Sequence, residues 1–166
     1  MARNGKRPNR LYTIKRSGIQ GRGVFAARRI RKGRRIIEYK GERINEKEEE
    51  ERYDESKMDR HHTYLFMVDD KISIDGNSKG NSARLINHSC DPNCEAVDEE
   101  GRIFIEAIRN IQPGVELTYD YNFEVDEPIT RRDLEFYACR CGSEKCRGTI
   151  LNPKNSRKSK GNGSGR

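Results

Sequence analysis

Residues 139–146 read CRCGSEKC and place three thiols, those of Cys139, Cys141 and Cys146, within eight residues. Clustered cysteines in a reducing compartment favour metal binding over disulfide formation, and structural zinc takes four sulfur or nitrogen ligands in a tetrahedron. The stretch therefore predicts a closed, structural zinc site, with unmetallated core or redox thiols as the alternative. A fourth ligand must come from elsewhere in the chain, and either Cys90 or Cys94 can supply it.

A second motif surrounds the first of these two candidates. Residues 83–93 read ARLINHSCDPN, in which an apolar pair is followed by Asn87, His88, a serine and then Cys90. A lone histidine in such a polar turn is more often a core residue with its hydrogen bonds satisfied than a functional group. Because a candidate metal ligand follows directly, the motif favours a functional site over that simpler interpretation.

Two further motifs are weaker by themselves. Residues 116–121 read ELTYDY, and the spacing of Tyr119 and Tyr121 puts both rings on one face of an extended strand. Such pairs are common in β-sheet cores. Residues 21–23, GRG, indicate a tight turn, since they lack the strand-to-helix context and the third glycine of a dinucleotide-binding site.

Charge is distributed unevenly along the 166-residue chain, whose length predicts one domain. Residues 1–35 carry thirteen Lys and Arg and no acidic residue, and residues 154–166 carry five more with none. Residues 36–153 have sixteen basic and 27 acidic residues, a net charge of −11. Two solvated ends are the simple interpretation. The sharper one predicts that the basic ends contact nucleic acid while the acidic body receives a basic peptide.

The hydropathy pattern predicts a small β-rich domain. Short runs of strand character alternate with Gly, Pro and Asn at residues 11–14, 23–26, 35–39, 64–68, 72–75, 95–97, 103–107 and 117–119. The best helix candidate is 46–60, which is rich in strong helix formers, and 81–86 predicts a short helical turn. Residues 1–10 predict a basic flexible arm, and residues 152–166 predict a basic disordered tail.

In their order and content these motifs resemble one family. GRGVF at 21–25, YKG at 39–41, YLF at 64–66, RLINHSC at 84–90 and ELTYDY at 116–121 precede the cysteine cluster. Together they resemble a SET domain with its post-SET zinc segment, and most of all the trithorax-type histone lysine methyltransferases. The resemblance runs from about Tyr12 to Leu151. It implies a SET domain over residues 11–123 and a post-SET segment over residues 124–151.

The resemblance also implies a fold and a metal site. The fold is mostly β, made of short twisted sheets, with a C-terminal strand that passes under an earlier loop. This pseudoknot would bring Asn87 and His88 beside Tyr121. The implied zinc ligands are Cys90, Cys139, Cys141 and Cys146. Cys94 is left as a non-ligating thiol, and the metal would fasten the tail onto the knot and complete a cofactor pocket.

By the same resemblance, the chain transfers a methyl group from S-adenosylmethionine to a protein lysine. The positions that contact this cofactor in similar proteins are Gln20, Arg22, Tyr64, Asn87, His88 and Arg140. Tyr121 matches the catalytic tyrosine that orients the methyl group, and Tyr64 and Tyr119 would line the lysine channel. A tyrosine hydroxyl at position 119 crowds a larger product, so mono- or dimethylation is expected to dominate.

The expected partner is a basic protein substrate such as a histone tail. No stretch approaches the roughly 18 apolar residues of a membrane span, and the N-terminus lacks the apolar segment of a secretory signal, so we expect an intracellular protein with no membrane partner. So minimal a chain resembles free-standing bacterial or viral SET proteins as well as nuclear ones. The expected location is the nucleus or chromatin in a eukaryote, and the cytoplasm, or a host nucleus after export, in a bacterium.

Two rival functions stay open at this point. A catalytically silent, zinc-stabilised module could hold chromatin or nucleic acid through the basic ends, but it would have little reason to keep Asn87, His88 and Tyr121 together. A methyltransferase acting on nucleic acid would need a wider pocket that accepts a flipped base, which the channel tyrosines disfavour.

Overall fold

The computed structural model describes residues 10–125 and 128–152. Within them, the ten strands are β1 Tyr12–Arg16, β2 Arg22–Ala26, β3 Arg35–Tyr39, β4 Glu42–Asn45, β5 Leu65–Met67, β6 Ile72–Asp75, β7 Asn87–His88, β8 Cys94–Glu99, β9 Arg102–Ala107 and β10 Thr118–Tyr119. The α-helices are α1 Glu46–Arg52 and α2 Arg131–Phe136, and short 3-10 helices span Glu55–Lys57 and Ser82–Leu85. The predicted arm and tail lie outside the described residues, except for Arg10 and Asn152.

The strands form several small sheets rather than one large one. Two three-stranded antiparallel sheets have the orders β3-β9-β8 and β4-β6-β5, and β1 pairs with β2 as a hairpin. The short strands β7 and β10 pair in parallel, with Asn87 opposite Thr118 and His88 opposite Tyr119. The prediction of a mostly β fold of short sheets is confirmed, and no helix in the described ranges has the length and apolar character needed to cross a membrane.

The main core joins β2, β8, β9 and β10. Its fully buried members include Val24, Ile86, Ile105 and Leu117, all at most 1% exposed. Burial of one such side chain stabilises the fold by roughly 1.5–3 kcal/mol relative to leaving it exposed. Because these residues surround the β7–β10 pair, the core fixes the position of the two motifs that the sequence singles out.

The predicted helix over residues 46–60 is too long, since α1 ends at Arg52. It begins with a capping box, in which Asn45 and Glu48 exchange side-chain and backbone hydrogen bonds of 3.0 and 2.9 Å. It ends where Arg52 and Tyr53 are drawn to the buried carboxylate of Asp75, at 2.9 and 2.7 Å. A contact to a distant strand therefore overrides the high helix propensity of the residues that follow.

Three elements were not predicted. Strands β4 and β7 are short and largely polar, so alternation of apolar residues does not reveal them. Helix α2 begins at a second capping box, in which Thr130 accepts from the Asp133 N–H at 3.1 Å and Asp133 accepts from the Thr130 N–H at 2.7 Å. That signal was readable in the sequence, but only one side chain of this helix, Leu134, is aliphatic.

Candidate active site and thiol cluster

A cavity of about 620 Å³ opens beside the β7–β10 pair and is called the first cavity here. It contains every residue that the sequence predicts for cofactor binding, namely Gln20, Arg22, Tyr64, Asn87, His88 and Arg140. These residues come from four separate parts of the chain. The fold thus brings the whole predicted set together around one space, while the role of each member stays a prediction.

One wall of the first cavity is organised by a half-buried hydrogen-bond network. The Asn87 side-chain amide nitrogen lies 3.2 and 3.3 Å from the carbonyl oxygens of Gln20 and Arg22, and 2.8 Å from Glu116 Oε1. The Glu116 carboxylate also accepts from the Ser17 hydroxyl at 2.7 Å. Asn87 and Glu116 therefore hold the backbone of the loop that forms this wall.

Two glycines allow this loop its shape. Gly21 has φ +48°, in the left-handed region that L side chains rarely adopt. A Cβ atom at Gly23 would lie 2.2 Å from Glu116 Oε1, so only glycine lets the carboxylate approach the strand. The GRG turn is therefore built around Glu116, a link that the isolated motifs do not reveal because 93 positions separate them.

Tyr121 lies at the junction of the first cavity with a second cavity of about 540 Å³. Its hydroxyl donates to the carbonyl oxygen of Ile86 at 2.6 Å, and its backbone N–H donates to His88 Nδ1 at 3.1 Å. The predicted approach of Asn87 and His88 to Tyr121 is therefore observed. Among residues 10–125 and 128–152, only Tyr121, Thr63 and Arg84 line both cavities.

The other two predicted channel tyrosines lie on opposite sides of this junction. Tyr119 lines the second cavity, with its ring centroid 4.9 Å from that of Tyr121, and Tyr64 lines the first cavity. Burial raises the pKa of both Tyr119 and Tyr121 well above the usual value. Both hydroxyls therefore stay protonated at neutral pH, so they can orient a partner by hydrogen bonds but cannot serve as phenolate bases.

The histidine of the motif is neutral. Burial lowers the pKa of His88 to about 4, although Asp120 opposes this shift. Its Nδ1 accepts the Tyr121 N–H, which leaves Nε2 to carry the proton, 3.4 Å from the sulfur of Cys90. His88 therefore lines the first cavity and also contacts Cys90, one of the candidate metal ligands.

The sulfur atoms of four cysteines lie within 4.8 Å of one another, and these are Cys90, Cys139, Cys141 and Cys146. A tetrahedral site with metal–sulfur bonds of about 2.3 Å separates its sulfur atoms by roughly 3.8 Å, and the Cys90 and Cys139 sulfurs are 3.7 Å apart. Three backbone N–H groups also donate to sulfur in this cluster, each at 3.4 Å. The four thiols can hold a metal ion.

Cys94 does not belong to this cluster. It is fully buried in the main core, and burial raises the pKa of its thiol to about 12. Of the two cysteines that the sequence leaves open as the fourth ligand, the structure therefore brings Cys90 to the other three.

The cysteine segment is tied to the residues around Tyr121, which follow β10. Arg147 donates to both carboxylate oxygens of Asp120, at 2.7 and 3.1 Å, and Leu151 pairs with Phe123 in a parallel bridge. Cys139, Arg140 and Cys141 also line the first cavity. The thiol cluster and the cavity therefore share a wall, so order in one depends on order in the other.

Sequence reasoning missed His61, which lies on the opposite wall. Its side chain is 7% exposed and packs against Phe123, Phe136 and Tyr137, and its backbone N–H donates to the Phe136 carbonyl at 3.0 Å. Nothing in the local sequence signals this burial, because the aromatic partners lie 62 or more positions further along the chain. Arg84 was missed for the same reason, since only the fold places it at the junction of the two cavities.

His61 makes stability depend on pH. Burial, helped by the neighbouring charge of His62, lowers the pKa of His61 from 6.5 to about 4. The unfolded chain therefore takes the proton first as pH falls, and the stability present above pH 6.5 is lost between pH 6.5 and pH 4, by up to about 3 kcal/mol. Urea unfolding of the native chain and of His61→Phe should give free energies of unfolding whose difference changes with pH in this window. A difference that is constant from pH 7 to pH 4 would contradict the assignment.

The parallel β7–β10 pair, the two adjoining cavities and the thiol cluster define a small β-rich domain whose C-terminal segment carries cysteines able to bind a metal. The SET domain matches residues 21–122, and the chain belongs to the SET-domain family. The parallel β7–β10 pair brings together two motifs whose paired residues are 31 positions apart, as the resemblance predicts for Asn87, His88 and the tyrosine motif.

The chain is also similar to parts of several larger proteins. The histone-lysine N-methyltransferase trithorax of Drosophila virilis is 42% identical over 138 residues, which are 80% of this chain and 3% of that protein. The histone-lysine N-methyltransferase ash1 of Drosophila melanogaster is 40% identical over 79% of this chain and 6% of its own length. The H3 lysine-4 specific histone-lysine N-methyltransferase of Saccharomyces cerevisiae is 42% identical over 142 residues, which are 81% of this chain and 13% of that protein. The chain thus spans a small part of the length of these curated relatives.

Proposed function

We propose that the chain is a protein-lysine N-methyltransferase that uses S-adenosylmethionine. The observation that carries this proposal is the position of Tyr121, whose half-buried side chain lines both cavities and whose hydroxyl is fixed by the Ile86 carbonyl at 2.6 Å. A transfer enzyme needs two binding spaces that meet at one point, and a scaffold does not. The names of the similar proteins support the same reaction.

In this proposal the first cavity binds the cofactor and the second receives the substrate. When bound, S-adenosylmethionine supplies a methyl carbon activated by a positive sulfonium. Asn87 and Glu116 hold the cavity wall by its backbone, and Arg140 adds a side chain from the cysteine segment. Tyr121 then fixes the geometry at the junction, which is the main contribution that a transfer between two bound partners requires.

The second cavity favours the neutral, nucleophilic form of the substrate lysine. A free lysine has a pKa near 10.4 and is almost wholly a non-nucleophilic ammonium at pH 7. The aromatic wall formed by Tyr39, Phe66 and Tyr119 disfavours the charged form, and a nearby sulfonium repels it. Both effects favour the neutral amine, and no dedicated general base is required of the side chains at the junction.

We propose that the metal is zinc and that it acts structurally. All four candidate ligands are thiols, which suits a closed tetrahedral site with no open position for a reacting group. The metal would lock residues 139–146 against Cys90 and thereby keep Arg140 in the wall of the first cavity.

A histone or histone-like protein is the proposed substrate, and chromatin the proposed location. The second cavity carries four carboxylates and one cationic side chain, which suits a basic peptide. The relatives named above act on histone lysine by name and are eukaryotic, which gives no support to the bacterial or viral version that the sequence also suggested. Contact of the basic ends with nucleic acid stays a prediction.

The test is methyl transfer to core histones from isotopically labelled S-adenosylmethionine, with protamine, which is arginine-rich and nearly free of lysine, as a control of similar charge. The proposal expects label on histones and almost none on protamine. Label on both would indicate arginine or nonspecific transfer. Binding of cofactor and histones without transfer would favour the silent binding module.

Tyr119→Phe is expected to raise the degree of methylation. Tyr119 is 5% exposed and lines the second cavity beside Tyr121, so removal of its hydroxyl enlarges the space around the amine. Mass spectrometry should show a shift from mono- and dimethyl lysine toward trimethyl lysine. Tyr12→Phe is the control, since the Tyr12 hydroxyl contacts Ser82 outside both cavities. An unchanged product distribution in Tyr119→Phe would remove this role from Tyr119.

A further inference from the structure

We propose that Arg84 keeps the substrate lysine neutral by placing an unpaired positive charge at the junction of the two cavities. This role rests on the proposed function and deepens it. The aromatic wall and the cofactor already disfavour the ammonium form, and Arg84 adds a fixed charge that can be removed without changing either of them.

Arg84 is fixed at the point where the two cavities meet. Within the part of the chain that the structure describes, it shares this position only with Thr63 and Tyr121. Its backbone belongs to the 3-10 helix Ser82–Leu85, and the residue that follows this helix, Ile86, accepts from the Tyr121 hydroxyl at 2.6 Å. The same short segment therefore positions both the guanidinium and the tyrosine where the amine would react.

No acidic residue in the described ranges pairs with this guanidinium. Its Nε atom is buried without a hydrogen-bond partner, and Nη1 makes a long contact of 3.5 Å with the Gly76 carbonyl. Its central carbon lies 5.4 Å from the centroid of the Tyr64 ring, a cation–π contact that does not neutralise the charge. Arg147, by comparison, donates to both oxygens of Asp120. The charge of Arg84 therefore acts on the group that occupies the junction.

The charge of Arg84 also acts on one wall of the second cavity. Burial raises the pKa of Tyr39, which lines this cavity, above its usual range, and Arg84 opposes the rise. A cation that stabilises a phenolate destabilises an ammonium group in the same place. A lysine amine beside Arg84 therefore has a lower pKa than it would have beside a neutral side chain.

The carboxylates of the second cavity favour the ammonium form, but none of them lines the first cavity as Arg84 does. Asp120 is paired with Arg147, and Glu49 accepts from a serine hydroxyl of β6 at 2.7 Å. Glu95 and Glu124 are exposed, so water screens their charges. The other titratable groups of this cavity stay neutral at pH 7, because burial raises the pKa of each, and they are Tyr39, Cys94, Tyr119 and Tyr121.

The charged side chains that line only the first cavity are exposed, whereas Arg84 is half-buried. These exposed residues are Arg22, Asp59, Arg60, Glu135 and Arg140. Water and salt screen such charges. The remaining titratable groups of the first cavity are His61, His62, Tyr64, His88, Cys139 and Cys141. Burial lowers the pKa of His61 and of His88 to about 4, and the two thiols belong to the candidate metal site.

The proton balance requires no base from the protein. The ammonium releases one proton to water, and the nitrogen keeps the electron pair that later forms the N–C bond. Arg84 neither accepts nor donates this proton, since a guanidinium stays charged in proteins. Its effect falls on the equilibrium between ammonium and amine, and it therefore appears as a pH dependence.

The test measures kcat for transfer to core histones against pH, with the metal-loaded chain and saturating S-adenosylmethionine. Arg84→Gln removes the charge, and we expect the acid limb of the profile to move up by roughly one pH unit. The value at pH 7 then falls about tenfold, while the plateau at high pH is retained. Arg84→Lys keeps the charge and should keep the native profile. Arg29→Gln, an equal change of charge at an exposed residue outside both cavities, is the matched control.

A binding measurement separates charge from packing. Calorimetry at pH 7 compares a histone peptide with the same peptide carrying norleucine, an uncharged side chain of similar shape, in place of the methylated lysine. Both are measured with S-adenosylhomocysteine bound. Arg84→Gln should bind the lysine peptide several-fold more tightly than the native chain does, and the norleucine peptide equally well. Weaker binding of both peptides would show a role in packing and overturn the proposal.

A measurement on the native chain needs no variant to fold. Nuclear magnetic resonance follows the titration of an isotope-labelled lysine in the bound peptide, again with S-adenosylhomocysteine. We expect its pKa to lie well below the usual value of about 10.4. A bound lysine that keeps the usual pKa, or a kcat profile that Arg84→Gln leaves unmoved or lowers equally at every pH, overturns the role of Arg84 and leaves methyl transfer intact. Absence of transfer by the native chain overturns the proposed function, and the role of Arg84 with it.

Discussion

Replacing Cys141 with serine is expected to release the metal and to weaken binding of S-adenosylmethionine by at least about 100-fold. The Cys141 sulfur is one of four that lie within 4.8 Å of one another, and three thiols are a poor structural site for zinc. Loss of the ion would free residues 139–146 from Cys90. Because Cys139, Arg140 and Cys141 line the first cavity, that cavity would lose a wall as well as a charged side chain.

Metal content by mass spectrometry and cofactor affinity by calorimetry check this result together. Cys94→Ala is the matched control, since Cys94 is a fully buried thiol outside the cluster. It should lower stability by the cost of a small cavity but keep one metal per chain. Full metal content in Cys141→Ser, or its loss in Cys94→Ala, would contradict the assignment of ligands.

Tyr121→Phe is expected to lower kcat by roughly 10²–10³-fold, the usual effect of removing one positioned hydrogen-bonding group from a reacting centre. The ring would still pack against Tyr119 and His88, at centroid distances of 4.9 and 5.3 Å, so the cavity should keep its shape. The affinity for S-adenosylmethionine should therefore change much less than kcat, which identifies an effect on the transition state.

The Ile86 carbonyl loses its partner in this variant, at a cost of about 1–3 kcal/mol in stability. Thermal unfolding of Tyr121→Phe is therefore measured beside its kinetics, and Tyr12→Phe serves again as the control. A kcat within twofold of the native value, in a variant that is folded and binds cofactor, would remove Tyr121 from the reaction.

The sequence shows local patterns directly, but it does not show which distant residues come into contact. The outcome of each prediction depends on which of the two it required. Strands such as β6 and β9 were predicted correctly because each contains apolar residues in a pattern that indicates a strand, whichever neighbour the strand pairs with. The helix over 46–60 was extended too far because its end depends on Asp75, a residue on another strand. Local propensity has no access to such a contact.

The candidate site divides in the same way. Resemblance to a family supplied residues as distant as Gln20 and Arg140, and the structure places both in one cavity. The residues that hold them could not be inferred: Glu116 was seen only as part of a tyrosine motif, and its contact with Ser17 spans 99 positions. The buried position of His61 could not be predicted from the sequence, because its contacts with aromatic rings exist only in the assembled fold.

The most direct measurement of the central claim follows a trideuterated methyl group from S-adenosylmethionine onto a histone substrate and locates it by fragmentation. The account predicts the label on lysine Nζ with the native chain and its near absence with Tyr121→Phe. Label on arginine or on nucleic acid, or none at all from a chain that holds both metal and cofactor, would contradict it.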